Sequence, residues 1–241
     1  MVLSNQPDVP IFPPAELESD EPQMETYRHL LQLILLLTSL ERLWSDRQDF
    51  FAAGNLTVYY SIRERRSEDF RGPDFFVVLN TERRERKSWV VWAENGQYPN
   101  FILEVLSDST AQTDRGLKKQ LYQDVFRTPD YFWFHPYTQE FQGFKLVYGE
   151  YQEIPADDRG WRWSEELQLY LGIHDEMLRF FTPEGELVPT PTEAEQIALQ
   201  QAISQQQRAE EERQRAEEER QRADRLAEKL RQMGIDPEDV S

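Results

Sequence analysis

Residues 101–110 read FILEVLSDST: Phe101, Ile102, Leu103, Val105 and Leu106 are apolar, and Glu104 sits among them. A short, almost continuous apolar run that ends in a polar turn predicts a strand covered on both faces. An ionised carboxylate inside such a strand is costly unless it has a cationic partner, a metal ion or a raised pKa. The question for the whole chain is which of these Glu104 has.

Working outward, further strands are predicted at 56–62 (LTVYYSI, with Leu56, Val58, Tyr60 and Ile62 alternating) and at 73–79 (PDFFVVL). Others follow at 88–92 (SWVVW), 131–135 (YFWFH) and 144–154 (FKLVYGEYQEI). A proline may open a strand because its missing N–H costs nothing there. Leu30, Leu33, Ile34, Leu37, Leu40 and Trp44 recur at three-and-four spacing, which predicts a mostly buried helix from Glu25. A second helix is expected from Thr113 to Phe126, with Thr110 or Thr113 as its N-cap. The aromatic-rich stretch from Trp161 to Phe181 reads as a small hairpin region beside the sheet. The sum is an α/β fold with a mixed central sheet flanked by helices.

Composition divides the chain in three. Residues 1–22 are proline-rich, with five acids and no bases, and are expected to be a disordered arm. Residues 23–190 form the globular domain. Pro183, Pro189 and Pro191 mark its end, and 191–241 form a long charged helix closed by Gly234 and Pro237. Within that helix AEEERQR occurs at 209–215 and again at 216–222. Ala209, Ala216, Ala223 and Leu230 recur every seven residues, with Leu226 and Met233 joining at the end. This period admits a solvated helix held by Glu–Arg pairs, or a coiled coil that makes a homo-oligomer.

The net charge of −18 argues against a general nucleic-acid-binding surface. Any phosphate contact then needs local basic patches or a bridging cation. Two such patches are RERR (63–66) with Arg71, and RRERK (83–87), both open to a phosphate-gripping or a solvated reading. Cysteine is absent, which excludes disulfides, thiolate metal sites and cysteine nucleophiles. His29, His135 and His174 lie far apart in sequence, which argues against a histidine-rich zinc site. Ser107 and Ser109 have no nearby histidine and make no case as nucleophiles. The N-terminus lacks the pattern of a secretory signal, and the apolar run Leu33–Leu37 is far short of a membrane span. No membrane association and a cytoplasmic location are expected.

Asp74 opens the strand after Pro73, thirty residues before Glu104. Two carboxylates at neighbouring strand ends repel unless a cation lies between them, and hard oxygen ligands select magnesium or manganese. Asp114, Lys118 and Tyr122 are spaced i, i+4, i+8 and share a face of the following helix. From there Lys118 can point back over the strand end and help to neutralise a phosphoryl transition state.

PDFFVVL, FILEVLSDST, TDRGLKKQLY and TPDYFWFHP resemble the successive blocks of the Uma-two family of restriction endonucleases, within the PD-(D/E)xK nuclease superfamily. The resemblance covers about residues 25–155. It implies a magnesium-dependent (or manganese-dependent) cut in a nucleic-acid phosphodiester, with DNA as the expected substrate. Asp74 and Glu104, aided by the carbonyl of Val105, would hold the metal, Lys118 would be the lysine of the site, and Asp114 and Tyr122 would support it. The chain departs from the superfamily pattern in two places. Leu106 stands where the lysine is expected, and the hairpin expected before the first helix is not evident. The alternative reading is an inactive nuclease fold that serves as an interaction or oligomerisation module through its C-terminal helix.

Overall fold

The computed structural model describes residues 17–19, 26–60, 70–107 and 111–234. The chain divides into two units, Met1–Thr190 and Pro191–Ser241. The first is built on a six-stranded mixed sheet of order β1-β4-β6-β7-β8-β9. Its strands are β1 (Phe50–Gly54), β4 (Phe75–Leu79), β6 (Phe101–Val105), β7 (Asp130–Phe134), β8 (Phe141–Val147) and β9 (Glu150–Glu153). Only β6 and β7 run parallel; the other neighbours are antiparallel. This is the mixed sheet that the strand pattern leads one to expect.

Both faces of the sheet are covered, which explains why β4, β6 and β7 read as nearly continuous apolar runs. On one face lies helix α1 (Tyr27–Leu43), with a meander of β10 (Arg162–Ser164), β11 (Leu169–His174) and β12 (Met177–Phe181). Leu33, Leu36 and Leu40 of α1 pack there with Phe75, Phe101, Leu103 and Phe132 of the sheet and Phe180 of the meander. Gln32 is buried in this layer and acts as a strand-like amide: it donates to Leu178 O at 2.8 Å and accepts from Leu178 N at 3.0 Å. Its amide thus satisfies the backbone polar groups of a buried strand position and fixes α1 to β12.

The opposite face is covered by a helical segment, residues 111–126, called α2, and by a small sheet. That sheet contains β2 (Val58–Tyr59), β3 (Phe70–Arg71) and β5 (Trp89–Val90). Tyr122 and Phe126 of α2 pack on Phe76, Ile102 and Tyr131 of the central sheet. Residues 17–19 lie along the small sheet. Tyr59 OH donates to Glu18 O at 3.0 Å and Ser88 Oγ to Leu17 O at 2.7 Å, while Thr57 N donates to Ser19 Oγ at 3.2 Å.

Several details differ from the sequence reading. Strand β1 was not expected: Phe50-Phe-Ala-Ala-Gly54 carries alanine and glycine, poor strand formers, and owes its place to antiparallel pairing with β4. The 56–62 strand is only two residues long among the described residues, and Ile62 lies outside them. SWVVW is a strand only at Trp89–Val90 before the chain turns. The 144–154 segment is not one strand but the hairpin β8–β9, reversed at Tyr148 and Gly149, both at positive φ (52° and 90°). On α1 the buried stripe is His29, Gln32, Leu33, Leu36, Ser39 and Leu40, while Ile34 is exposed; the helix is amphipathic rather than mostly buried.

The second unit contains α3 (Pro191–Gln232), 42 residues with none buried. It carries Arg–Glu pairs one turn apart, Arg215 with Glu211 and Arg231 with Glu228. Among the described residues no helix is long and apolar enough to cross a membrane.

Candidate active site

The antiparallel register Phe75↔Leu103 brings Asp74, one residue before β4, opposite Glu104 near the end of β6. Phe101, Leu103 and Val105 face α1, whereas Ile102 and Leu106 face α2. Glu104 shares that second face by two-residue alternation and is fully buried. Its partners come from α2. Lys118 Nζ donates to Glu104 Oε2 at 3.0 Å, and Tyr122 OH donates to Glu104 Oε1 at 2.7 Å. The same ammonium lies 3.1 Å from Asp114 Oδ1. The five sequence-predicted side chains, Asp74, Glu104, Lys118, Asp114 and Tyr122, are therefore in one cluster.

The shape of α2 makes this possible. Residues Asp114–Lys118 and Tyr122–Phe126 are wound as π-helix, with α-helical turns at Ala111–Thr113 and Lys119–Leu121. A four-residue step on an α-helix overshoots a full turn by about 40°. On the wider π-helix the same step undershoots. One step of each kind keeps Asp114, Lys118 and Tyr122 in one row, with Lys118 and Tyr122 on Glu104 and Asp114 on Lys118. Thr113 is already helical and makes no side-chain cap, so it is not the N-cap; Thr110 lies outside the described residues.

Asp74 sits at the end of the sheet, between the two layers. Val105 N donates to Asp74 Oδ2 at 2.7 Å, and His29 Nε2 of α1 stands 3.2 Å from Asp74 Oδ1. Asp74 N approaches Glu104 Oε2 at 3.5 Å. Val105 thus touches the site through its N–H. His29 was not among the sequence candidates. The signal for it was a polar residue on the buried stripe of α1, in step with Leu33, Leu36 and Leu40.

Burial pushes Asp74 toward its neutral form, but His29, Lys118 and the Val105 N–H outweigh it and hold the carboxyl below the ordinary aspartate value. Burial pushes Glu104 well above the ordinary glutamate value; Lys118 opposes this, while Asp74 and Asp114 add to it. Burial alone would strip the proton from Lys118, yet Glu104, Asp74 and Asp114 keep it charged, above the usual lysine value. Three carboxylates facing one ammonium leave unbalanced negative charge, which a proton or a cation relieves. The oxygen donors suit a hard divalent ion. Among the described residues no group of three or more acidic or histidine side chains surrounds one metal position. A cation here would rest on two carboxylates and complete its shell with water and main-chain oxygen, as magnesium commonly does.

The basic patches fare differently. Within 83–87, Arg83 pairs with Glu41, Arg84 and Arg86 with Glu94, and Lys87 with Glu18. Arg86 also lies over the rings of Phe51 and Trp89. Arg83 and Arg86 brace the fold, whereas Arg84 and Lys87 are held in more exposed pairs. RERR (63–66) and the side chain of Arg71 lie outside the described residues.

The family described as "Uma2: Putative restriction endonuclease" matches residues 19–182, more than half of the chain. The chain belongs to the Uma2 family. The match spans the central sheet, both covering layers and every residue of the cluster, and stops before α3. No curated protein matches the chain. Among solved structures, the chain is similar to the crystal structure of "a putative nuclease belonging to DUF820" from Anabaena variabilis. The TM-score is 0.43 at 12% identity, over 63% of this chain and 78% of that one.

Proposed function

We propose that this Uma2 protein is a divalent-metal-dependent endonuclease that hydrolyses phosphodiester bonds of DNA. Asp74 and Glu104, with the carbonyl of Val105, hold Mg2+ or Mn2+, and Lys118 assists. The observation that carries the reading is Lys118 Nζ at 3.0 Å from Glu104 Oε2, from a helix, on the face where Leu106 occupies the superfamily's lysine position. A bound divalent ion supplies an activated water and neutralises charge at the phosphorus. The chain's own residues hold and orient. Tyr122 OH and Lys118 fix both oxygens of Glu104, and Asp114 anchors the ammonium from its other side. His29 and the Val105 N–H fix Asp74. The Lys118 ammonium, kept charged, places positive charge where a phosphoryl transition state gathers negative charge.

Plasmid nicking with magnesium or manganese tests this. Wild type should nick, while Glu104→Ala and Asp74→Ala should lose the activity by several orders of magnitude. Equal nicking by wild type and Glu104→Ala rejects the mechanism. The rival, an inactive nuclease fold acting through α3, is favoured by Leu106 and by the internal pairing of residues 83–87. An absence of nicking in every variant supports it.

A further inference from the structure

The connection from β7 to β8, residues 135–140, stands at the mouth of the cluster, because β7 runs parallel to β6 and pairs Phe134 with Val105. It is a stiff loop. His135 Nδ1 accepts from both Tyr137 N and Thr138 N at 3.2 Å, and His135 N donates to Glu140 O at 2.8 Å. Its two ends reach the two helices that supply the site. Tyr137 lies beneath the guanidinium of Arg28, 5.4 Å from it, and Arg28 precedes the His29 that holds Asp74. Glu140 pairs with Arg115, which follows the Asp114 that holds Lys118. The result is a collar: a loop tied to one arginine from each helix, carrying an exposed tyrosine ring.

The occupancy of this collar is unusual for a structural one. Tyr137 is 59% exposed, although its loop is fixed. Arg28 and Arg115 are each held by a solvent-facing glutamate, Glu176 at 67% and Glu140 at 42% side-chain exposure. Exposed ion pairs of this kind contribute little and exchange readily for a better anion. A phosphate can replace a carboxylate on an arginine with the same two-pronged geometry. An exposed tyrosine against one such arginine, on a fixed loop whose far end pairs with the second, is an arrangement that can stack an unpaired base while its backbone is held.

We propose that Arg28, Tyr137 and Arg115 form a binding platform for a single-stranded segment of nucleic acid, with Tyr137 stacking a base and the two arginines taking flanking phosphates from Glu176 and Glu140. This deepens the nuclease reading and rests on it for the direction of the strand toward Asp74 and Glu104. A duplex offers no free base face to Tyr137, so the platform selects unpaired DNA.

The test is binding, in EDTA, of a fluorescent 15-nucleotide oligo-dT and of a matched duplex to the full chain. Wild type should bind the single strand more tightly. Tyr137→Ala should weaken that binding about tenfold, Tyr137→Phe should retain it, and neither should change duplex binding. Arg28→Ala with Arg115→Ala should lower the slope of log affinity against log salt by about 1.4, two phosphate contacts at about 0.7 each. Duplex preference, no binding to either, or equal single-strand affinity of wild type and Tyr137→Ala overturns the proposal. Because cleavage plays no part, nicking that survives alongside unchanged Tyr137→Ala binding removes the platform and leaves the nuclease reading. Binding as expected with no nicking does the reverse.

Discussion

Glu104 resolves at the level of single side chains: both of its oxygens are occupied, one by Lys118 and one by Tyr122. Lys118 is in turn shared with Asp114. Removing the ammonium should therefore expose a buried pair of carboxylates to each other. Lys118→Met is expected to destabilise the fold at pH 8 by about 3–5 kcal/mol. In that variant Glu104 loses the cation that opposes its already raised pKa, so the folded state binds more protons than the unfolded one. Its stability should be regained as the pH falls toward 5, and urea unfolding at the two pH values reads this. A pH-independent deficit would contradict the charge argument. His29 acts on the site through Asp74. His29→Ala should weaken manganese binding about 10–100-fold, with His29→Gln recovering part of it. Calorimetric titration giving wild-type affinity for both variants would remove His29 from the site. The acids and the lysine were readable from residue type and spacing. His29 was not, because its partner Asp74 is 45 residues away and only packing of α1 on the sheet joins them.

At the scale of elements, the attachment of the meander to the central sheet depends on a buried acid. Asp130 at the start of β7 accepts from Ser164 Oγ at 2.6 Å and Glu166 N at 3.0 Å. Burial pushes its pKa up to about 6 from an ordinary 3.8, against the two hydrogen bonds, with Glu166 and Glu165 adding to the rise. Between these values the folded state holds the extra proton, so this group's contribution falls as pH rises from about 4 to 6 and is lowest above. The full swing is about 3 kcal/mol at roughly 1.4 kcal/mol per pKa unit. Asp130→Asn cannot titrate. The stability of that variant relative to wild type should climb by up to this amount between pH 4 and pH 7, measured by chemical denaturation. Parallel stability curves would show that Asp130 does not carry the burden. Elsewhere, strong apolar runs revealed β4, β6 and β7 directly. Strand β1 escaped notice because its alanines and glycine gain strand geometry only from the neighbour they pair with.

For the whole molecule, the charge of −18 is distributed between a compact unit and a long helix with no buried residue. A helix with no buried residue has no core of its own. Truncation after Thr190 should leave the thermal midpoint within about 2 °C of the full chain and remove helical circular dichroism in proportion to residues 191–232. A larger fall would show that the helix stabilises the first unit. The heptad-like alanines of α3 were visible in the sequence, as was the boundary near Pro191, since both are matters of local composition. By itself the sequence determined the covered strands, the two carboxylates and the lysine-bearing helix, because apolar periodicity and residue chemistry are local properties. Only the tertiary structure decided that Asp74 stands opposite Glu104, that a π-wound helix aims Lys118 and Tyr122 at the same carboxylate, and that His29 closes the site. Register, helical winding and contacts across layers are set by packing between segments far apart in the chain.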